Sequence, residues 1–447
     1  METGEVAMQR DLGEGLVLRR ATAADTEALA AFNAAIFGDP GAPNEGSADW
    51  TRDLMGGDHP TCAGDFTLVE DSREGKIVSS LVLIGQTWSY DGIEFGVGRT
   101  ELVGTHPEYR RRGLIRAQFE LLHAWSAARG HKLQVIHGIP GFYCQFGYET
   151  ALPLDGCRHG YPQLVPELKE GQAEPYHVRP ATEADLPFIA AVYREATRRD
   201  RIACVRDLAA WRYELRGRRE RETRRVELRV VESAAGEPVG FLVHAWRNWG
   251  DTLVTMVYEL KRGASWLAVT PSVLRYLKAT GAAYAEDGAR EPEGPFSALE
   301  LDLGTDHPAY HAASDCLPRT GRPYAWYVRV PDLPDFLRHL APALECRLEQ
   351  SALAGHTGEL GISFYREGLC LALERGRLMN VERWVTEPAK PVTAFFPDLV
   401  FLQLLFGYRS LEELEYAFAD CRVENDEARA LLTALFPRQT SNIWGLS

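Results

Sequence analysis

The stretch from Leu102 to Ile115 reads Leu-Val-Gly-Thr-His-Pro-Glu-Tyr-Arg-Arg-Arg-Gly-Leu-Ile, and its residue types suit a bound phosphate. A β-rich segment ends near Thr105. His106 to Tyr109 makes a turn, and Arg110-Arg111-Arg112-Gly113 runs into a helix predicted from Leu114 to Arg129. A helix start presents unpaired N–H groups and the positive end of the dipole. Gly113 lets a ligand approach the backbone, and the arginines add charge. The same residues also suit a solvated basic turn ahead of an amphipathic helix. A second candidate is Tyr143, in Gly141-Phe142-Tyr143-Cys144-Gln145-Phe146-Gly147-Tyr148. A phenol can serve as a general acid; beside Phe146 and Tyr148 it also fits a core. Cys144 has no histidine clearly placed to activate it as a nucleophile. His106 and His137 fall in a turn and at a strand end. The sequence holds no Walker A, His-Glu-x-x-His or Gly-x-Ser-x-Gly pattern.

Arg110-x-x-Gly113-x-Ile115 resembles the pyrophosphate loop of the GNAT acetyltransferases, Gln/Arg-x-x-Gly-x-Gly/Ala. Ile115 departs from the small last residue, a departure shared by the enhanced-intracellular-survival (Eis-like) subgroup. Gly141 to Tyr148 resembles that subgroup's Gly-x-Tyr-x-x-Phe-Gly-Tyr segment. The resemblance is strong over about the first third of the chain and rests on architecture beyond it. It implies acetyl-CoA as co-substrate and no metal. The pyrophosphate would sit on the backbone of Arg111, Arg112, Gly113, Leu114, Ile115 and Arg116. Val103, Gly104 and Thr105 would pair with pantetheine, with Gly138 and Ile139 completing the cofactor site. Tyr143 would be the general acid and the carboxylate of Ser447 the general base. Asp39 and Trp50 would line the amine pocket, although Asp39 also reads as a helix-end turn residue and Trp50 as core. Glu101 fits a base acting through water or a solvated strand face.

These residues need elements to hold them. Leu16–Arg19 reads as a strand, and Thr22-x-x-Asp25 as a variant capping box before a helix carrying Leu29, Phe32, Ile36 and Phe37. A short helix follows around Ser47–Leu54. Strands are predicted over 66–70 and 77–85, and a hairpin over 86–97 turns at Asp91-Gly92. The strand–turn–helix comes next, and Leu133–His137 closes a β-α-α-β-β-β-α-β order. Leu18-Arg19-Arg20-Ala21-Thr22-Ala23-Ala24-Asp25 recurs as Val178-Arg179-Pro180-Ala181-Thr182-Glu183-Ala184-Asp185. A helix, three strands, a helix capped by Thr270 with Pro271 at its first position, and a strand near Ala298–Leu303 follow. The phosphate position of this repeat, Lys261 to Trp266, lacks the Arg-x-x-Gly motif, which reads as a degenerate copy. After Pro331-Asp332 come a helix ending before Pro342, three alternating strands and late helices, resembling a sterol-carrier-protein-like domain. The predicted fold is mixed α+β and α/β: a catalytic GNAT domain (1–152), a degenerate GNAT-type domain (153–330), and a sterol-carrier-protein-like domain (331–447) whose apolar tail docks.

The chain has 447 residues, 45% hydrophobic and 25% charged, with a formal net charge of −14. That balance argues against a nucleic-acid partner and favours cationic small molecules. The arginine-rich run Arg212–Arg229 is interleaved with glutamates and reads as a solvated surface. Eight scattered cysteines without Cys-x-x-Cys suit a reduced cytosolic protein and give no metal framework. Met1–Val6 shows no secretory signal, and no segment reads as membrane-spanning. The expected activity is direct acetyl transfer from acetyl-CoA to a primary amine of an aminoglycoside, polyamine, other small amine or lysine. The resemblance also implies a homo-oligomer, a hexamer. The rival readings are a non-catalytic acyl-CoA sensor and a lipid-binding module with a vestigial acetyltransferase.

Overall fold

The computed structural model describes residues 9–57, 59–62, 64–290, 294–385 and 391–447, so Met1–Val6 lies outside the described residues. The first sheet begins with β1 (Gln9–Gly13), β2 (Leu16–Arg20), β3 (Phe66–Asp71), β4 (Lys76–Tyr90) and β5 (Ile93–Thr105). These five neighbours pair antiparallel. Helices α1 (Thr26–Phe37) and α2 (Glu45–Gly56) lie between β2 and β3. β4 and β5 are each one long strand, joined at Asp91 (φ 46°) and Gly92 (φ 83°), the two left-handed positions of a tight hairpin. Helix α3 (Leu114–Ala128) then crosses to β6 (Leu133–Ile136), parallel to β5.

Between β5 and β6 the sheet parts. Their pairing covers only Val97–Arg99 against Leu133–Val135. Beyond it, Leu102 adopts φ 50° and the β4 register shifts between Ser80 and Val82, so β5 carries a bulge. A bulge bends its strand and strengthens the twist. The free edge of β5 from Thr100 onward therefore faces a gap.

The sheet is finished from far downstream. After β6 come β7 (Glu149–Leu154), β8 (Arg158–Gly160) and β9 (Tyr176–Pro180), then α4 (Leu186–Ala196), β10 (Ile202–Cys204) and α5 (Leu208–Arg216). The second sheet adds β11 (Val226–Ser233), β12 (Pro238–Ala245), β13 (Thr252–Leu260), α6 (Trp266–Glu286), β14 (Ala298–Leu301), α7 (Pro308–Ala312) and β15 (Arg319–Thr320). Its order is β15-β8-β14-β13-β12-β11-β9, parallel only at β13/β14. β16 (Tyr324–Arg329), inside the 153–330 segment, joins the first sheet between β6 and β7, and β10 pairs with the end of β4.

The repeated motif folds the same way twice. Arg19 holds Asp25 and Glu70 at 2.7 and 2.9 Å; Arg179 holds Asp185 and Glu232 at 2.8 and 2.7 Å. In both copies the aspartate accepts from the backbone N–H of Thr22 or Thr182 at 2.8 Å. The helix after β13 departs from the sequence reading. Ser265 caps it, accepting from Ala268 N–H, so it starts ahead of Thr270 and carries Pro271 inside.

The C-terminal unit comprises α8 (Leu333–His339), α9 (Ala341–Glu349), β17 (Gly358–Ser363), β18 (Gly368–Glu374), β19 (Arg377–Trp384), β20 (Ala394–Phe395), α10 (Phe401–Leu405), α11 (Leu411–Ala417), β21 (Arg422–Val423) and α12 (Asp426–Leu435). α8 stops at His339, ahead of Pro342 as the sequence reads, and Pro342 then opens α9, where a first-turn proline gives up only an N–H that had no partner. Phe336, Leu340, Leu344, Phe401 and Phe406 merge with Trp88, Phe95, Val97, Val135 and Trp326 of the first sheet into one core. Among the described residues no helix is long and apolar enough to cross a membrane.

Candidate active site

The parted strands and the start of α3 enclose a cleft of about 620 Å3, lined by Ile36, Val103–Thr105, Tyr109–Arg111, Gly113–Arg116, Ile139, Phe142, Gln145 and Phe146. Val103, Gly104, Thr105, Arg111, Gly113, Leu114, Ile115, Arg116 and Ile139 all meet there. Arg111 (φ 63°) and Gly113 (φ 77°) are both left-handed, which curls the turn under the helix. Gly113 is the N-cap and has no side chain to offer, and the first α3 bond runs from Ala117 N–H to Gly113 O. The preceding N–H groups therefore have no side-chain cap. A Cβ on Gly113 would meet nothing within 4 Å, so its conformation, not crowding, asks for glycine. Arg116 lies over the Phe146 ring and donates to Gln145 Oε1 at 3.0 Å.

Two predicted cofactor residues lie off the cleft wall. Arg112 stacks on Tyr109 and reaches Glu14 at 3.5 Å. Gly138 accepts from Tyr324 Oη through its carbonyl at 2.7 Å. The predicted amine-pocket residues do not meet. Asp39 is exposed in a tight turn bridged to Ala42, and Trp50 is buried in the core with Leu54, Phe66 and Val82, under the Arg224 guanidinium.

Tyr143 stands in a one-turn 3-10 helix and packs among Phe119, Tyr148 and Tyr327. Burial, then the charge of Glu101, pushes its phenol well above the ordinary range, so it is protonated at neutral pH. On the opposite sheet face, strand alternation aligns Gln86 with Val97, Arg99 and Glu101. Arg99 Nε donates to Glu101 Oε1 at 2.7 Å, and His137 Nε2 lies 3.1 Å from the same oxygen. Burial alone would push Glu101 up, but the charges of Arg99 and His137 outweigh it and hold the carboxylate well below its usual range. Glu101 is thus a buried, paired anion rather than a solvated strand residue.

The last residues lie along this polar strip. Thr440 O and Ser441 Oγ accept from the backbone of Arg201 and Ile202 at 3.0 and 3.1 Å. Arg206 stacks on Trp444, 3.6 Å from the ring centre, and donates to Trp444 O at 3.0 Å. Trp88 Nε1 fixes Gln86 at 2.7 Å, and Gln86 and Arg99 both donate to Leu446 O. Ser447 is buried and lines a cavity of about 250 Å3 with Arg99, His137, Glu214, Arg218, Arg224 and Trp326.

Sequence reading missed much of this wall. The run Arg212–Arg229 is not all solvated: Glu214, Arg218 and Glu222 are buried, with Arg218 bonded to both glutamates at 2.8 and 2.9 Å and Glu214 also to Arg206. The i, i+4 spacing of Glu214, Arg218 and Glu222 was the available signal.

The acetyltransferase (GNAT) domain family matches residues 17–151. No curated protein matches the chain. Three solved structures share its fold at length. A probable N-acyltransferase from Enterococcus faecalis V583 has TM-score 0.65 and 13% identity, covering 95% of this chain and 97% of its own. A GCN5-related N-acetyltransferase from Kribbella flavida has TM-score 0.63 and 16% identity, covering 98% and 99%. Eis1 from Mycobacterium abscessus has TM-score 0.61 and 13% identity, covering 97% and 99%. At such identities the likeness is one of fold. The match over residues 17–151 is to an acetyltransferase (GNAT) domain, and it supports reading the chain as an acyltransferase enzyme.

Proposed function

We propose that the protein transfers an acetyl group from acetyl-CoA to a primary amine of a small molecule or lysine by direct attack. The observation that carries this reading is the cleft itself. The free edge of β5 and the uncapped start of α3 meet in one groove, which suits a pantetheine amide chain followed by a pyrophosphate. Tyr143 is the general acid: a buried, protonated phenol can give its proton to the departing thiolate. The Ser447 carboxylate is the general base, because it lines the cavity beside His137 and Arg99. Glu101, held ionised by two partners, is a poor proton acceptor and instead positions Arg99 against the tail. Cys144 is exposed and burial, its largest influence, raises its thiol, so an acyl-enzyme is not favoured.

In the same reading the second sheet is a degenerate GNAT-type copy, supported by the repeated Arg–Asp–Glu contact and matching helix-strand order. The C-terminal unit is a sterol-carrier-protein-like scaffold, and the enzyme is a cytoplasmic homo-oligomer, which sedimentation tests. The deciding experiment is thiol release from acetyl-CoA against a panel of amines, with Tyr143→Phe alongside. Amine-dependent release that falls about 100-fold in the variant supports the assignment. Acetyl-CoA binding without release for any amine would replace it with the sensor reading.

A further inference from the structure

The second sheet carries a cluster that acetyl transfer does not use. β8 and β14 are antiparallel neighbours, with His159 directly opposite Glu300. Residues two apart share a strand face, so Cys157 joins His159, and Asp302 joins Glu300. Cys157 Sγ lies 3.2 Å from His159 Nε2, and His159 Nδ1 lies 3.1 Å from Glu300 Oε2. One ligating atom from each of Cys157, His159 and Glu300 falls within 4.8 Å of the others. Asp155 and Asp302 crowd the same place, and Asp302 Oδ1 is buried without a hydrogen-bond partner.

The charges there do not balance. Among the described residues, none of Asp155, Glu300 and Asp302 forms an ion pair with lysine or arginine; His159 is the one partner, to Glu300. Arg158 stacks instead over Tyr310. Three carboxylates gathered beside a thiol and an imidazole, with no lysine or arginine among the described residues to pair them, suit a cation.

We propose that Cys157, His159 and Glu300 bind a divalent ion of the zinc type, with Asp302 completing its shell. A thiol, an imidazole and a carboxylate together match zinc, whereas magnesium and calcium take oxygen ligands. Binding deprotonates the thiol, and its proton leaves to solvent. The same row of groups resembles a nucleophile, base and orienting acid. Gly321 argues against that use, because a Cβ there would collide with Cys157 Sγ: the chain lies on the sulfur and leaves no room for an acyl group. The ion has a structural task. Asp155 and Asp302 line the tail cavity with Asn442 and Ile443, so an ion joining β8 to β14 braces the wall on which the tail lies. The proposal does not rest on the acetyl-transfer assignment.

The test uses the full chain, stripped with chelator and titrated with Co2+ and Zn2+. Cobalt is expected to give a thiolate charge-transfer band in the near ultraviolet, which zinc displaces, and zinc but not magnesium should raise the melting temperature. Cys157→Ser should abolish the band. Glu300→Gln should weaken cobalt binding about tenfold or more while melting no lower than wild type without metal, since it removes a repulsive charge. No sulfur band in wild type, or a band that survives in Cys157→Ser, would overturn the proposal.

Discussion

Glu101 and Arg99 form a buried pair whose partners cannot be lost singly without cost. Glu101→Gln leaves the Arg99 guanidinium without its anion, and we expect a loss of about 3 kcal/mol by urea unfolding. If Glu101 only positions Arg99, the pH–rate profile keeps its shape as the rate falls; a vanished acidic limb would make Glu101 the base. Gly445 presses on the same guanidinium, where a Cβ would come 2.8 Å from Arg99 Nη1. Gly445→Ala should therefore displace the tail and lower kcat about 10- to 100-fold, leaving the KM for acetyl-CoA nearly unchanged. A raised KM for acetyl-CoA with normal kcat would show that the tail serves the other cleft. Asp200 illustrates burial winning: it is pushed up to about 7, burial outweighing the nearby Arg199 charge. Folded protein keeps a proton that the unfolded chain releases above about 4, so stability falls as pH climbs from about 4 to about 7. Asp200→Asn should raise stability by about 1–3 kcal/mol at pH 8 and change little at pH 4, measured by thermal melts at both.

At the scale of elements, the local signals were legible. Gly113 at the start of α3, Asp91-Gly92 at the hairpin, and the Thr22/Asp25 and Thr182/Asp185 pairs all stand where the sequence puts them, because each acts through backbone groups only a few residues away. Proline was less readable. The helix before Pro342 does stop at His339, but Pro342 also opens a further helix, and Pro271, expected at a helix start, is carried inside one already capped by Ser265. The walls of the site were hidden for a different reason. Glu214, Arg218 and Arg224 face Ser447 only because α5 packs against α4, β11 and the tail, and the Cys157, His159 and Glu300 cluster joins strands far apart in sequence. Beyond the i, i+4 spacing of Glu214, Arg218 and Glu222, a local window carries no mark that separates a buried arginine from a solvated one. Asp39 and Trp50, expected at the amine pocket, fall in a turn and a core instead.

For the whole molecule, the first sheet and the C-terminal unit share a core, and β16 supplies the strand between β6 and β7. A fragment ending at residue 152 lacks that strand and uncovers Trp88, Phe95 and Val135. We expect it to be insoluble or to bind a hydrophobic dye strongly, whereas a cooperative melt of that fragment would mean the sheet closes without β16.

The distance along the chain from β6 to β16 also sets a clock. A ribosome adding about 5–20 residues per second needs roughly 10–40 s to travel from Ile136 to Arg329. Throughout that interval the acetyltransferase sheet waits with one slot open, its β6 edge exposed to any strand that passes. Nascent chains must be kept apart for that time, so the crowding of polysomes, more than the stability of the finished enzyme, is what this strand order puts at risk.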